Sequence, residues 1–312
     1  KPVARRCLWA THVMGVHSTS KVMKSAAFVG KVIAEYHPHG DLSAYMTYVT
    51  LVNSPIPMVQ GEGNWGSFSD SSVAAYRYTN MRLSEYSDRI FFDRFYLPAI
   101  TQIPNYDDSK TEPLVLPALL PNLLINGNFG IGVGARTDIP SFKLKSVAKV
   151  LIESLKSKHG ADDKLCQKLE FTSLYEGEPI PNKQEFKQIF SKGKGKVQFK
   201  SVYETVDKYT VDFIKFAPFS TLEKVLDKIA NIKDVANVND VSDVKDKHGR
   251  IRITFKKSLK AQEIHKLADK IAVSELGAAR SYDIAVTDRF VDEKGLGAAK
   301  LKSTNVVSII NN

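Results

Sequence analysis

Arg77-Tyr78-Thr79 sets a phenol hydroxyl beside a permanently charged guanidinium. A tyrosine can act as the nucleophile in covalent catalysis. An arginine can grip two non-bridging phosphate oxygens and offset the negative charge that builds there. One tyrosine among 12 is more often a packing residue, so the pair acquires chemistry only from its surroundings. Two histidines lie in Tyr36-His37-Pro38-His39-Gly40-Asp41, and imidazole can hold a phosphate or move a proton near neutral pH. The same segment also suits a plain turn, because Pro38 has no amide hydrogen and Gly40 tolerates unusual backbone angles. Lys1, Arg5 and Arg6 are either phosphate ligands or one solvated helix face. Lys192, Lys194 and Lys196 alternate with glycines, which leaves ammonium groups and backbone amides open to phosphates but equally describes a basic turn. Cys7 and Cys166 have no partners at metal-ligand spacing and form no disulfide framework. No DxD-type pair of acids marks a magnesium site.

These residues need elements to carry them. Apolar spacing predicts a helix over Val3–Met14, stopped by Gly15, and a second over about Val22–Ala34. The Pro-Gly segment breaks the second helix. Asp41 can cap a third that runs to about Val52, and the last two form a helix-turn-helix with the third helix facing a ligand such as DNA. Met58–Gly66 reads as a short strand entering a glycine-bearing loop with Asn64 and Trp65, where backbone can approach a ligand or Trp65 can anchor the loop in the core. A small helix is expected near Ser72–Tyr76. Pro117–Gly134 looks irregular and glycine-rich, and Pro140 closes a first domain at about residue 141. Beyond it, composition shifts toward Lys and Asp. Helices are expected at Lys143–Lys156, Leu222–Ile232 and Ala261–Val273, and strands at Lys196–Val206, Tyr209–Phe216, Val235–Val244 and Arg250–Phe255. The fold class is therefore α+β, with domains 1–141 and 142–312.

The 312 residues carry 44 Lys plus Arg against 34 Asp plus Glu, a formal charge of +10, which favours a polyanionic partner. Charge alone does not choose between DNA, RNA and an anionic membrane. No apolar run is long enough to span a membrane and no signal peptide is evident, so a soluble, cytoplasmic protein is expected. The start at Lys1, without Met, reads as a fragment.

Four motifs in register resemble the bacterial type IIA topoisomerase A subunit, of gyrase or topoisomerase IV. They are KPVARR at Lys1–Arg6, YHPHGD at Tyr36–Asp41, QGEGNWGS with AAYRYT across Gln60–Thr79, and LLPNLLINGNFGIGVGARTDIP at Leu119–Pro140. The resemblance implies a winged-helix breakage-reunion domain at 1–141. More weakly, through FSKGKGKVQFKSVYE at Phe190–Glu204 and KDKHGRIRITFKK at Lys245–Lys257, it implies a tower domain at 142–312. It makes Tyr78 the residue that attacks a DNA phosphodiester and holds the 5′ phosphate, with Arg77, Arg5 and His39 as its catalytic companions. DNA contacts fall on Lys1, Arg6, His37, Asn64, Lys192, Lys194 and Lys196. Ile131 becomes a wedge between base pairs; an ordinary buried isoleucine is the plain alternative. Magnesium and ATP are implied on a partner B subunit, whose Toprim domain holds the metal, and two A subunits pair in an A2B2 assembly. The family's coiled-coil gate and C-terminal wrapping domain are not seen in this sequence. A non-catalytic winged-helix module that binds or bends DNA is the alternative function. After YHPHGD, family members commonly carry a Ser and, a turn later, an acid that anchor quinolones. Leu42 and Met46 stand there and accept no such hydrogen bonds, which implies weak drug sensitivity.

Overall fold

The computed structural model describes residues 2–69, 72–95, 97–132, 135–218, 220–243, 248–287 and 301–311. Lys1, Val133, Gly134 and residues 244–247, on which parts of the motifs above fall, lie outside the described residues. Helix and sheet are mixed, in an α+β arrangement. The chain divides into two compact units, and the boundary between their main segments lies at Asn126–Gly127, upstream of Pro140.

The first unit is built chiefly from Lys1–Gly66 and Ser72–Asn126. Helices α1 (Pro2–Val13), α2 (Ser25–Glu35) and α3 (Asp41–Val52) pack on one another. Their apolar stripes meet in a core that includes Cys7, Phe28, Val32, Ala44 and Tyr48. Strand β1 (Met23–Lys24) precedes α2, and β2 (Val59–Glu62) and β3 (Asn80–Leu83) follow α3, giving an antiparallel sheet of order β1-β3-β2. Helix α4 (Glu85–Phe91) starts on Ser84, whose hydroxyl accepts from the Ser87 amide. A two-stranded ribbon, β4 (Gln102–Pro104) with β5 (Thr111–Pro113), and a short helix α5 (Asn122–Ile125) complete the unit.

Two expectations fail locally here. Ser72–Ala75 is not helical, because its polar backbone groups have partners elsewhere: the Ala74 amide donates to the Asn64 carbonyl at 3.0 Å, and the Ala74 carbonyl accepts from the Tyr45 hydroxyl at 2.6 Å. Asp41 is the first residue of α3 and not its cap. Gly40 takes the cap position without a side-chain bond, while Asp41 accepts from the Tyr76 hydroxyl at 2.9 Å.

The second unit contains Ser67–Ser71 and most of the chain after Asn126. The segment expected to be irregular contains a hairpin, β6 (Asn128–Gly132) with β7 (Ala135–Ile139). After it come β8 (Ser141–Phe142), α6 (Leu144–Lys156), α7 (Asp163–Cys166), β9 (Phe171–Thr172), β10 (Glu178–Pro179) and α8 (Lys183–Lys192). Next are β11 (Lys194–Lys200), β12 (Val202–Thr205), β13 (Thr210–Lys215), α9 (Leu222–Ala230), β14 (Val235–Asp240), β15 (Ile251–Phe255), α10 (Ala261–Lys270), β16 (Ala278–Asp283) and α11 (Val306–Asn311). One sheet has the order β10-β11-β16-β7-β6, so β6 is an edge strand, and Phe142, Phe171, Phe190 and Tyr282 form a linked aromatic group in this unit. The other, β12-β13-β15-β14, buries Val211, Phe213, Ile251 and Ile253 with Val225 and Ile229 of α9 and Ile264 and Ala268 of α10. Among the described residues no helix is long and apolar enough to cross a membrane.

Candidate active site

Tyr78 ends a turn over Tyr76–Tyr78 that leads directly into β3. Its amide donates to the Ala75 carbonyl at 2.8 Å, while the residue is 63% exposed, which leaves its hydroxyl open to another molecule. The Arg77 guanidinium lies 4.7 Å from the Tyr78 ring centroid. A hydrogen bond from Arg77, reinforced by its charge, lowers the Tyr78 pKa below that of a free phenol.

The next residue fixes this arrangement from below. Thr79 is fully buried; its hydroxyl donates to Ser25 Oγ at 2.8 Å and lies 3.1 Å from the Tyr45 hydroxyl. The Ser25 amide donates to the Thr79 carbonyl at 3.0 Å, tying the start of β3 to α2. Tyr45 of α3 packs edge-on against Tyr76 at 5.6 Å and near Trp65 at 5.5 Å. The nucleophile candidate therefore stands on a turn held by both α2 and α3. Sequence reading singled out Tyr78 but not the Thr79 hydroxyl or the Tyr76–Asp41 bond, which become visible only when distant segments meet.

Trp65 takes the anchoring role. It is buried, its indole N–H donates to the Glu62 carbonyl at 3.1 Å, and a Cβ added at Gly61 would come within 2.4 Å of its Nε1. Asn64 beside it is exposed, and its Oδ1 accepts from the Gly66 amide at 2.8 Å.

Arg5 and Arg6 leave α1 toward a residue that sequence reasoning missed. Glu112 of β5, with its side chain only 1% exposed, receives Arg6 Nε at 2.8 Å, Arg6 Nη2 at 2.7 Å and Arg5 Nη2 at 3.2 Å. Arg5 Nη1 also donates to the Leu114 carbonyl, and Arg5 Nε is buried without a hydrogen-bond partner. Burial lowers the Arg5 pKa, and Glu112 opposes that fall. Arg6 Nη1 lies 3.2 Å from Nδ1 of the buried His37, whose ring packs edge-on to His39 at 4.4 Å. Burial lowers the His37 pKa, and the neighbouring His39 and Arg6 add to the fall. The exposed His39 is thus the member of the pair that faces solvent. Glu112 lies 106 residues from Arg6 in a polar stretch, so no local pattern announces it.

In the second unit, Ile131 of β6 is 76% exposed, which sets aside the reading of an ordinary buried isoleucine. Lys192, Lys194 and Lys196 are also exposed, and Lys194 pairs with Asp283 at 3.3 Å. Their intervening glycines do not leave the backbone open. Gly193 ends α8 at φ 73°, where a Cβ would meet the Thr304 carbonyl at 1.8 Å, and the Lys196 amide donates to Glu185 Oε2 at 2.7 Å. Among the described residues no three His, Cys, Asp or Glu side chains are grouped to hold a metal.

An exposed tyrosine beside an arginine, on a turn braced by a helix pair, is a site where a phenol can attack an electrophile outside the protein. Residues 1–287 match the sequence profile of the DNA gyrase/topoisomerase IV A subunit. The chain belongs to this A-subunit family. It is 38% identical over 237 residues to the DNA topoisomerase 4 A subunit of Salmonella typhimurium, covering 74% of this chain and 31% of that protein. The same-named protein of Escherichia coli is 38% identical over 213 residues, 66% of this chain and 28% of its own length. The DNA gyrase A subunit of Brachyspira hyodysenteriae is 33% identical over 239 residues, 74% of this chain and 28% of its own length. The chain thus spans less than a third of the length of these relatives.

Proposed function

We propose that this chain is the strand-attacking part of a type IIA DNA topoisomerase A subunit, cleaving and rejoining duplex DNA through Tyr78. The observation that carries the reading is the exposed Tyr78 phenol held beside the Arg77 guanidinium, which lowers its pKa, in a chain of this family. The phenol loses its proton and a bond forms between its oxygen and the phosphorus. The bond from phosphorus to the 3′ oxygen breaks, and that oxygen leaves with the electron pair and takes up a proton as a 3′ hydroxyl. Reversal reseals the strand without separate energy input, because one phosphodiester has replaced another. Arg77 offsets the charge on the pentavalent transition state.

In this reading α2, α3 and the β1-β3-β2 sheet form a winged helix, residues 1–141 act as the breakage-reunion domain and 142–312 as a tower. His39, facing solvent, positions the phosphate. Arg5 and Arg6, committed to Glu112, support the His37–His39 turn and add positive potential. Asn64, Lys192, Lys194 and Lys196 offer exposed contacts to DNA, and Ile131 is the wedge that unstacks a base step. ATP and magnesium are the province of a B subunit, in an assembly with two copies of each chain.

The test mixes the protein with a B subunit, magnesium, ATP and supercoiled plasmid, then quenches with detergent. Protein joined to 5′ DNA ends is expected with the wild type and lost in Tyr78→Phe, while non-covalent DNA binding persists. Binding without any adduct would replace this reading with that of a DNA-bending module.

A further inference from the structure

The β6–β7 hairpin exposes more than an isoleucine. Phe129 and Ile131 are two residues apart on β6, so their side chains share a face. Ile131 pairs in register with Arg136 of β7, and Phe129 pairs with Asp138. Phe129 is 44% exposed and the Arg136 side chain 58%. The Arg136 guanidinium lies 5.7 Å from the Phe129 ring centroid, across the diagonal of the ladder. Its contact with Asp138 is long, at 3.6 Å, while Asp138 is already engaged by Arg280 at 2.7 Å. Arg136 can therefore turn to an anion without leaving Asp138 buried and uncompensated. This edge of the sheet presents two apolar side chains, with a planar cation stacked on one of them.

We propose that Phe129 and Arg136 act with Ile131 as one DNA-deforming element. Resting on the reading that this hairpin meets duplex DNA, it assigns two residues beyond the wedge. Ile131 and Phe129 supply apolar surface against unstacked bases, and Arg136 neutralises a backbone phosphate beside the distorted step. The chemistry favours DNA over a protein partner, because an unstacked step offers both an apolar base face and a phosphate within a short reach. Arg136 answers the second need and the two apolar side chains answer the first.

The test combines the full chain, its B subunit, and an end-labelled duplex, reading bend by energy transfer between dyes and affinity across a salt series. Phe129→Ala should reduce the bent fraction with little change in salt dependence. Arg136→Ala should weaken binding and flatten the slope of log affinity against log salt by about 0.9 per chain, one phosphate contact. Arg136→Lys should restore the slope. All three positions are solvent-facing, and melting profiles check that each variant folds. The proposal is overturned if both alanine variants bend and bind as the wild type does. In that case Ile131→Ala separates the two ideas: lost bending keeps the wedge reading, and unchanged bending removes it as well.

Discussion

Tyr78 and Arg77 are adjacent in sequence and act as a unit in space. Because the guanidinium holds the phenol pKa below its ordinary value, removing it raises that pKa. At any pH below the tyrosine's pKa the fraction of phenolate then falls. Arg77→Ala should therefore move the rise of cleavage rate with pH to more alkaline values. It should also slow cleavage by about 10²–10³-fold at neutral pH, the scale of losing one transition-state charge partner. Single-turnover cleavage measured across pH checks both effects, and an unshifted profile would mean that Arg77 does not act on the phenol. Leu42 and Met46 lie exposed on α3, one turn apart and without strong hydrogen-bond acceptors. Leu42→Ser combined with Met46→Glu should increase quinolone-stabilised cleavage in a drug titration, whereas the wild type should respond weakly.

At the scale of elements, the helices were legible because their apolar periodicity is local. The expected Val3–Met14, and the helix expected after a capping Asp41 and running to about Val52, match Pro2–Val13 and Asp41–Val52 to within a residue at each end. The hairpin Asn128–Ile139 was not legible, since its glycines break the alternation that marks a strand and its pairing to β16 spans more than a hundred residues. Glu112 escaped for a similar reason: a lone acid between Thr111 and Pro113 gains meaning only when α1 brings two arginines to it. With both partners largely buried, the cluster is more than a surface ion pair. Glu112→Ala should cost about 3–5 kcal/mol by leaving buried positive charge uncompensated. Denaturant unfolding measures this, and a loss under about 1 kcal/mol would class the cluster with exposed pairs.

For the whole molecule, the charge of +10 favours a polyanionic partner without choosing one, and the proposal of DNA rests on the four motifs and on family membership. The site candidates divide between two compact units: Tyr78, Arg77, Arg5, Arg6, His37, His39 and Asn64 in one, and Ile131 with the three lysines in the other. Each unit has its own core, so damage to one site can be read without assuming collapse of the other. The proposed activity comes down to one oxygen, Tyr78 Oη, becoming bonded to DNA. Its most direct measurement is to form the covalent complex with a B subunit, digest the DNA with nuclease and the protein with trypsin, and locate the nucleotide by mass spectrometry. A 5′-phosphonucleotide is expected on Tyr78, in the peptide that ends at Arg82. A nucleotide on any other residue, or a DNA-binding complex with none at all, would rule that chemistry out.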